Sequence, residues 1–249
     1  MAWMCPPMFP KQFSIFYRKK EIIMDKTYSI AIDGPAGAGK STIAKRLAKE
    51  LNFMYVDTGA IYRTVAYFLD LLGVSPKDVD GVERYIDELN IEIEYDADGA
   101  QHMIMNGMDV SGDIRTQDIS QKASLVSAHA VVREVLLDMQ RDVAKKHNVI
   151  MDGRDIGTVV LPNADVKIFL TADPAVRAKR RYDELIAKGQ KAELPTILKE
   201  IEQRDYQDTH RAIAPLKQAK DAVKVDTSAL DIDGVVAEIR AIVGKKISV

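Results

Sequence analysis

Two spacings of apolar residues alternate along most of the chain. Residues 28–33 (Tyr-Ser-Ile-Ala-Ile-Asp) form a short apolar run closed by a glycine-rich stretch, the pattern of a buried strand. Residues 41–51 place Ile43, Leu47 and Leu51 at i, i+4 and i+8, on one face of a helix. Residues 53–56 read as a second strand. Residues 60–72 read as a helix carrying Ile61, Val65, Phe68 and Leu72, with Gly73 placed to end it. Ser75-Pro76 predicts another helix start, a cap followed by proline in the first turn.

The rhythm then changes. Ile91-Glu-Ile-Glu-Tyr95 alternates with period two, and Asp98-Gly99 and Asn106-Gly107 flank residues 102–105, which together predict a small antiparallel meander. Helical spacing resumes over 116–147, followed by buried strands at 149–151 and 166–170 and a weaker one at 222–225. Asp173-Pro174 caps an arginine-rich helix, and residues 196–211 and 235–243 form two more. Strands alternating with helices predict an α/β fold, a parallel sheet of about five strands with helices on both faces. The meander does not belong to that rhythm and reads as an insert.

The glycine-rich stretch carries chemistry. Gly34-Pro35-Ala36-Gly37-Ala38-Gly39-Lys40-Ser41 fits G-x-x-x-x-G-K-[ST] at every fixed position, with Thr42 next. Glycines let the backbone curl until several N–H groups face one anion, and the following helix adds the positive end of its dipole. Lys40 can reach the β- and γ-phosphates of ATP, and Ser41 can coordinate Mg²⁺. The context, after a strand and opening a helix, is the one this mechanism demands. No Asn/Thr-Lys-x-Asp guanine reader occurs, which argues against a GTPase.

Charge narrows the acceptor. The net charge is −2, so no overall basic field draws the chain to nucleic acid or anionic lipid. No run approaches the roughly 18 apolar residues of a membrane span. A lone cysteine, Cys5, excludes an internal disulfide and suits a reducing, cytoplasmic compartment. Arginines nevertheless cluster. Thr58 and Arg63 follow the second strand, and Asp152, Arg154 and Asp155 follow the strand at 149–151, where loops line a ligand crevice. Asp152 is placed to assist the metal through water. Arg204, Asp208 and Arg211 stand at i, i+4 and i+7, and Arg177, Arg180 and Arg181 at i, i+3 and i+4, each set on one helix face. Guanidinium forks suit the charge that phosphoryl transfer spreads over the migrating group, although a solvated face of ion pairs has the same spacing.

With these residues in place, the chain resembles bacterial cytidylate kinases. The resemblance rests on Ile32-Asp-Gly-Pro-Ala-Gly-Ala-Gly-Lys-Ser-Thr42, Asp57-Thr-Gly-Ala-Ile-Tyr-Arg63, Val110-Ser-Gly-Asp-Ile-Arg-Thr116, Asp152-Gly-Arg-Asp-Ile-Gly-Thr-Val-Val160 and Arg211-Ala-Ile-Ala-Pro-Leu216, in the family's order across residues 27–245. It implies a P-loop NTPase fold with an acceptor-nucleotide domain enlarged by an insert at about residues 85–125 and a lid at about 174–195. It implies that Arg63, Arg154 and Arg211 hold the CMP phosphate, and that Arg133 and Asp155 address cytosine. Arg204 and Asp208 would contact the pentose, with Ser124 bonding Asp208, and Thr58 stands where the family often has serine. Arg180 and Arg181 would close over ATP from the lid, joining Lys40, Arg154 and Asp155 as the catalytic set. The implied reaction is ATP + CMP ⇌ ADP + CDP in a cytoplasmic monomer, with dCMP as a second acceptor and Mg²⁺ accompanying ATP. Another small-acceptor kinase, of thymidylate, UMP or shikimate type, is the alternative enzyme. A non-catalytic nucleotide switch is the alternative from another class.

Residues 1–26 have no counterpart in the resemblance. Residues 1–23 hold Trp3, Pro6, Pro7 and Pro10 and show no strand or helix period. Met24 just before the first strand leads to the expectation that it is the start and that residues 1–23 are translated upstream sequence, with a genuine disordered tail as the alternative.

Overall fold

The structure, a computed structural model, describes residues 14–16 and 26–247. The expectation about Met24 and most of the first 23 residues lies outside the described residues. The exception is β1 (Ser14–Phe16), a three-residue strand where no strand spacing was legible. It pairs in parallel with the edge of β4 (Ile91–Tyr95), so a neighbouring strand, not local periodicity, defines it.

The chain divides into two compact units. One comprises Glu21–Gly59 and Gln140–Val249. Its sheet contains β2 (Ser29–Asp33), β3 (Met54–Asp57), β7 (Val149–Gly153), β8 (Val166–Thr171) and β9 (Val223–Asp226). The order is β3-β7-β2-β8-β9 with every pair parallel, as the alternation of strands and helices predicts. Helices α1 (Lys40–Leu51) and α8 (Ile232–Lys246) bury Ile43, Leu47, Val235, Ile239 and Val243 in one cluster with Ile30, Ile32, Ile168 and Leu170. Ala31, Val56 and Met151 alternate to the opposite side and are also fully buried, so both faces of the sheet are covered. Covered faces explain why its strands read as continuous apolar runs.

Two further helices, α6 (Pro174–Ala187) and α7 (Leu194–His210), form a hairpin with its own small core of Ala178, Leu185, Ile197 and Ile201. Asp173 accepts from the Ala175 N–H at 2.8 Å and caps α6 with proline at its first turn, as the sequence predicts.

The other unit contains Ala60–Met139. It holds most of α2 (Thr58–Leu71) and α5 (Ala130–Lys146), with α3 (Val79–Tyr85) and α4 (Gln117–Val126) between. The predicted meander is present as β4, β5 (Gln101–Met105) and β6 (Met108–Asp109). Ile91 and Ile93 pair with Met105 and Met103 on the buried face, while Glu92 and Glu94 point away. Asn106 and Gly107 both take positive φ, 48° and 83°, the twist a two-residue hairpin requires. The helix expected to start at Ser75-Pro76 begins at Val79 instead. Ser75–Asp78 closes a turn first, and Asp78 supplies the cap, accepting from Gly81 N–H at 3.1 Å.

His102, the second residue of β5, lies between two carboxylates: Nδ1 meets Asp109 at 2.8 Å and Nε2 meets Asp96 at 3.5 Å. Asp109, then Asp96, holds the imidazole pKa above the usual histidine value against mild desolvation. A raised pKa makes the charged form the stabilising one. Its contribution is complete below the ordinary histidine range and is lost as pH rises through the folded-state value. NMR titration is expected to place His102 above the ordinary histidine midpoint, and Asp109→Asn is expected to lower it. Equal midpoints in the two proteins would contradict the pairing.

Candidate active site

All five parallel strands send their carboxyl ends to one edge of the sheet, and the loops leaving that edge carry the site. The loop after β2 is shaped by glycine. Gly34 has φ +152°, and a Cβ there would lie 2.0 Å from the Leu170 carbonyl oxygen of β8. Gly37 and Gly39 occupy the left-handed region at +73° and +89°, and Gly39 caps α1. Such a backbone turns successive N–H groups toward one concave side, beside the positive end of α1. Pro35 and Ala38 are buried, while Ser41 and Thr42 are exposed. The buried Lys40 side chain folds back over the loop, and Nζ donates to the Pro35 carbonyl at 2.7 Å.

Carboxylates line the strand ends. Asp152 of β7 sits in register beside Asp57 of β3. Its Oδ1 accepts from the Tyr55 hydroxyl at 2.8 Å and its Oδ2 from the Ser41 hydroxyl at 2.9 Å. The Thr58 hydroxyl donates to the Asp152 backbone carbonyl at 2.8 Å, so Tyr55 of β3 and Ser41 of α1 hold the carboxylate while Thr58 holds its backbone. Burial, reinforced by the Asp57 charge, pushes the Asp152 carboxyl up, with Lys40 opposing. Burial, reinforced by Arg154, pushes the Lys40 ammonium down. Each charge of this pair is costly unless the other is present.

Asp33 at the end of β2 accepts from the Ile156 and Gly157 N–H groups at 2.8 and 2.7 Å. Burial outweighs those bonds and pushes its carboxyl up to about 6. The two bonds pin a wide turn after β7 (Ile156–Val160), closed by Leu161 N–H on the Ile156 carbonyl at 2.7 Å. Asp155 enters that turn and is buried.

The arginines are held by acids. Arg154 Nε donates to Asp208 at 2.8 Å, and Arg211 donates to Asp155 at 3.2 Å and to the Ala214 carbonyl at 2.6 Å. Burial works against the Asp208 charge, yet Arg154, then Arg204 and Arg211, holds its carboxyl below the ordinary range. The helical stripe expected of Arg204, Asp208 and Arg211 is interrupted, because α7 ends at His210 and Arg211 is extended. Pro215 disfavours helical backbone at Ala214, and Leu216 N–H returns to the Asp208 carbonyl at 2.7 Å. Arg204 stays half-buried on α7.

Arg177, Arg180 and Arg181 all lie on α6, as their spacing predicts, but meet different partners. Arg177 is buried against the phosphate loop and Asp205. Arg180 donates to the hydroxyl and carbonyl of Thr227 at 3.0 and 2.6 Å, beyond β9. Arg181 pairs with Glu184 at the surface at 2.8 Å. Helical spacing places the three on one side of α6, but three different neighbours meet that side.

The unit built on β2 therefore gathers Lys40, Ser41, Thr58, Asp152, Arg154, Asp155, Arg180, Arg181, Arg204, Asp208 and Arg211. Arg63, Ser124 and Arg133 belong to the other unit. Arg63 is half-buried on α2, five residues after Thr58. Arg133 is buried on α5, donating to the Ser127 carbonyl at 3.3 Å and lying 5.8 Å over the Tyr62 ring. Ser124 is half-buried on α4. Sequence reading missed Asp33 and Tyr55, and it gave Arg177 no contact with the glycine-rich loop. A signal existed only for Asp33, an acid ending an apolar strand directly before the glycines.

The family model for cytidylate kinase matches residues 30–245. The chain belongs to the cytidylate kinase family. It is 48% identical over 221 residues to the cytidylate kinase of Leuconostoc mesenteroides subsp. mesenteroides, covering 89% of this chain and 98% of the relative. The cytidylate kinase of Ligilactobacillus salivarius is 50% identical over 223 residues, with 90% and 99% covered. That of Bacillus cereus is 47% identical over 220 residues, with 88% and 97% covered.

The oxygen donors here suit the metal that accompanies ATP in such a kinase. The Ser41 hydroxyl and the Asp152 carboxylate are hard oxygens 2.9 Å apart. Among the described residues no group of three or more His, Cys, Asp or Glu could hold a metal by itself. Mg²⁺ needs no such cage, since it retains waters and phosphate oxygens and takes only one or two protein oxygens.

Gly34→Ala tests the loop's contact with β8. A methyl group 2.0 Å from a carbonyl oxygen forces the backbone apart, so unfolding should become easier by roughly 3 kcal/mol in chemical denaturation. A wild-type denaturation midpoint would contradict the close approach.

Proposed function

We propose that this nucleoside monophosphate kinase transfers the γ-phosphoryl group of ATP to CMP, with dCMP as a second acceptor. The observation that carries the reading, beside family membership, is a glycine-shaped phosphate loop in one unit with Arg154 and Arg211, each oriented by its own carboxylate.

The polyphosphate of ATP lies along the N–H groups of residues 34–42. Lys40 leaves the Pro35 carbonyl for the β- and γ-oxygens, and gaining those anions offsets its burial. Mg²⁺ neutralises charge on the bound triphosphate when present, and Ser41 and Asp152 are the residues that would hold it, Asp152 through water. Arg154 and Arg211, joined by Arg63, hold the CMP phosphate, while Arg133 and Asp155 offer the cytosine edge a donor and an acceptor. Arg204 and Asp208 address the pentose, with Ser124 bonding Asp208, and Thr58 at the start of α2 joins the CMP-binding set. Catalysis is then positioning and charge stabilisation, with no covalent intermediate on the protein. The lid is α6 and the segment after it. Arg180 and Arg181 exchange Thr227 and Glu184 for phosphate oxygens as it closes, which excludes water and limits wasteful hydrolysis.

ADP release measured with CMP, dCMP, UMP, thymidylate and shikimate tests the acceptor. The highest kcat/KM is expected with CMP and dCMP, and a preference for shikimate or thymidylate would overturn the assignment. Lys40→Ala should lower kcat by about 10²- to 10³-fold with the fold intact by circular dichroism. Near-normal turnover in that variant would remove Lys40 from the mechanism.

A further inference from the structure

Arg177 is 2% exposed and makes four polar contacts, none of which the proposed chemistry uses. Nε donates to the Ala172 carbonyl at 2.9 Å, where the chain leaves β8. Nη1 donates to the Ala36 carbonyl of the phosphate loop at 3.0 Å. The guanidinium also forks onto Asp205 of α7, at 3.1 Å from Nη1 and 2.5 Å from Nη2. Its stem lies along Gly37, where an added Cβ would sit 3.5 Å from Arg177 Cβ. One buried side chain thus touches the loop, the root of α6 and the helix carrying Arg204 and Asp208.

Peptide geometry gives this a consequence. The Ala36–Gly37 peptide is planar and trans, so its C=O and N–H point in opposite directions. Gly37 at φ +73° is the kind of residue across which a peptide can flip. Holding the Ala36 oxygen on Arg177 keeps the Gly37 N–H turned away from Arg177. An unheld peptide could present either its N–H or its carbonyl to an anion, and the carbonyl would repel it. Asp205 in turn fixes the guanidinium, since a carboxylate matches its fork at two points.

We infer that Arg177 is a positioning residue for ATP, locking the Ala36–Gly37 peptide in its anion-binding orientation, and that it does so through Asp205. The inference rests on the reading of residues 34–42 as the ATP site and is independent of which acceptor is used. Arg177 also sits one turn before Arg180 and Arg181, so the lid helix grows from a root already fastened to the loop.

The test uses the full chain, with binding of a non-hydrolysable ATP analogue measured by calorimetry in the presence of Mg²⁺ and without acceptor. Arg177→Lys keeps the charge but cannot reach Ala36 and both Asp205 oxygens together, and should raise Kd about tenfold. Asp205→Asn keeps the shape, loosens the fork and should raise Kd several-fold. The double variant should be no weaker than the worse single variant, because both substitutions break one device. A purely structural role predicts a lower Tm with Kd unchanged. Unchanged Kd in folded variants, or losses that add, would overturn the inference. If Arg177→Lys does not fold, Asp205→Asn alone still decides, since a wild-type Kd there excludes action through Asp205. A protein that binds the analogue but does not phosphorylate CMP would sink the proposed reaction while leaving this result readable.

Discussion

A phosphate loop is an improbable piece of backbone. Its glycines hold positive φ, a backbone that turns successive N–H groups toward one side. Such a shape persists only if its surroundings determine it. Here Gly34 lies so close to β8 that no side chain fits, Lys40 bridges to Pro35, and Arg177 grips Ala36. The buried core formed by the sheet with α1 and α8 carries the stability, and the loop draws on it at the carboxyl edge of β2.

The second constraint is buried charge. Asp33, Lys40, Asp152, Asp155, Arg177 and Asp208 are all buried, an arrangement that apolar packing alone would disfavour. Each has a recorded partner: backbone N–H groups for Asp33, a carbonyl for Lys40, hydroxyls for Asp152, guanidinium groups for Asp155 and Asp208, and carbonyls with Asp205 for Arg177. These internal partners hold each group in place before a ligand arrives. A phosphate that replaces some of them meets donors already oriented, which is the sense in which such a site is preorganised.

Much of the site could be read from residue order. The G-x-x-x-x-G-K-S pattern between a strand and a helix identified the loop, because only glycine tolerates its backbone. Arg154, Asp155 and Asp208 were found as polar residues at strand ends or on a helix face. Arg177 was grouped with Arg180 and Arg181 because i, i+3 and i+4 spacing says only that side chains leave the same side of a helix. Their different partners, Asp205, Thr227 and Glu184, depend on what packs there. Tyr55 lies inside an apolar strand and Asp33 ends one, and only the neighbouring Asp152 and the 156–157 turn give them their partners.

Local pattern alone determined most of the element order, the parallel sheet, the meander with its Asn106-Gly107 turn and the glycine-rich loop between β2 and α1. Each of these follows from backbone sterics and side-chain period within a few residues. Tertiary structure alone decided the pairing of β1 with β4 and which acid holds which arginine. Those outcomes depend on groups far apart in the chain. Arg154 and Asp208 are 54 residues apart and Asp33 and Gly157 are 124 apart, and no local period encodes which distant group will meet a given side chain.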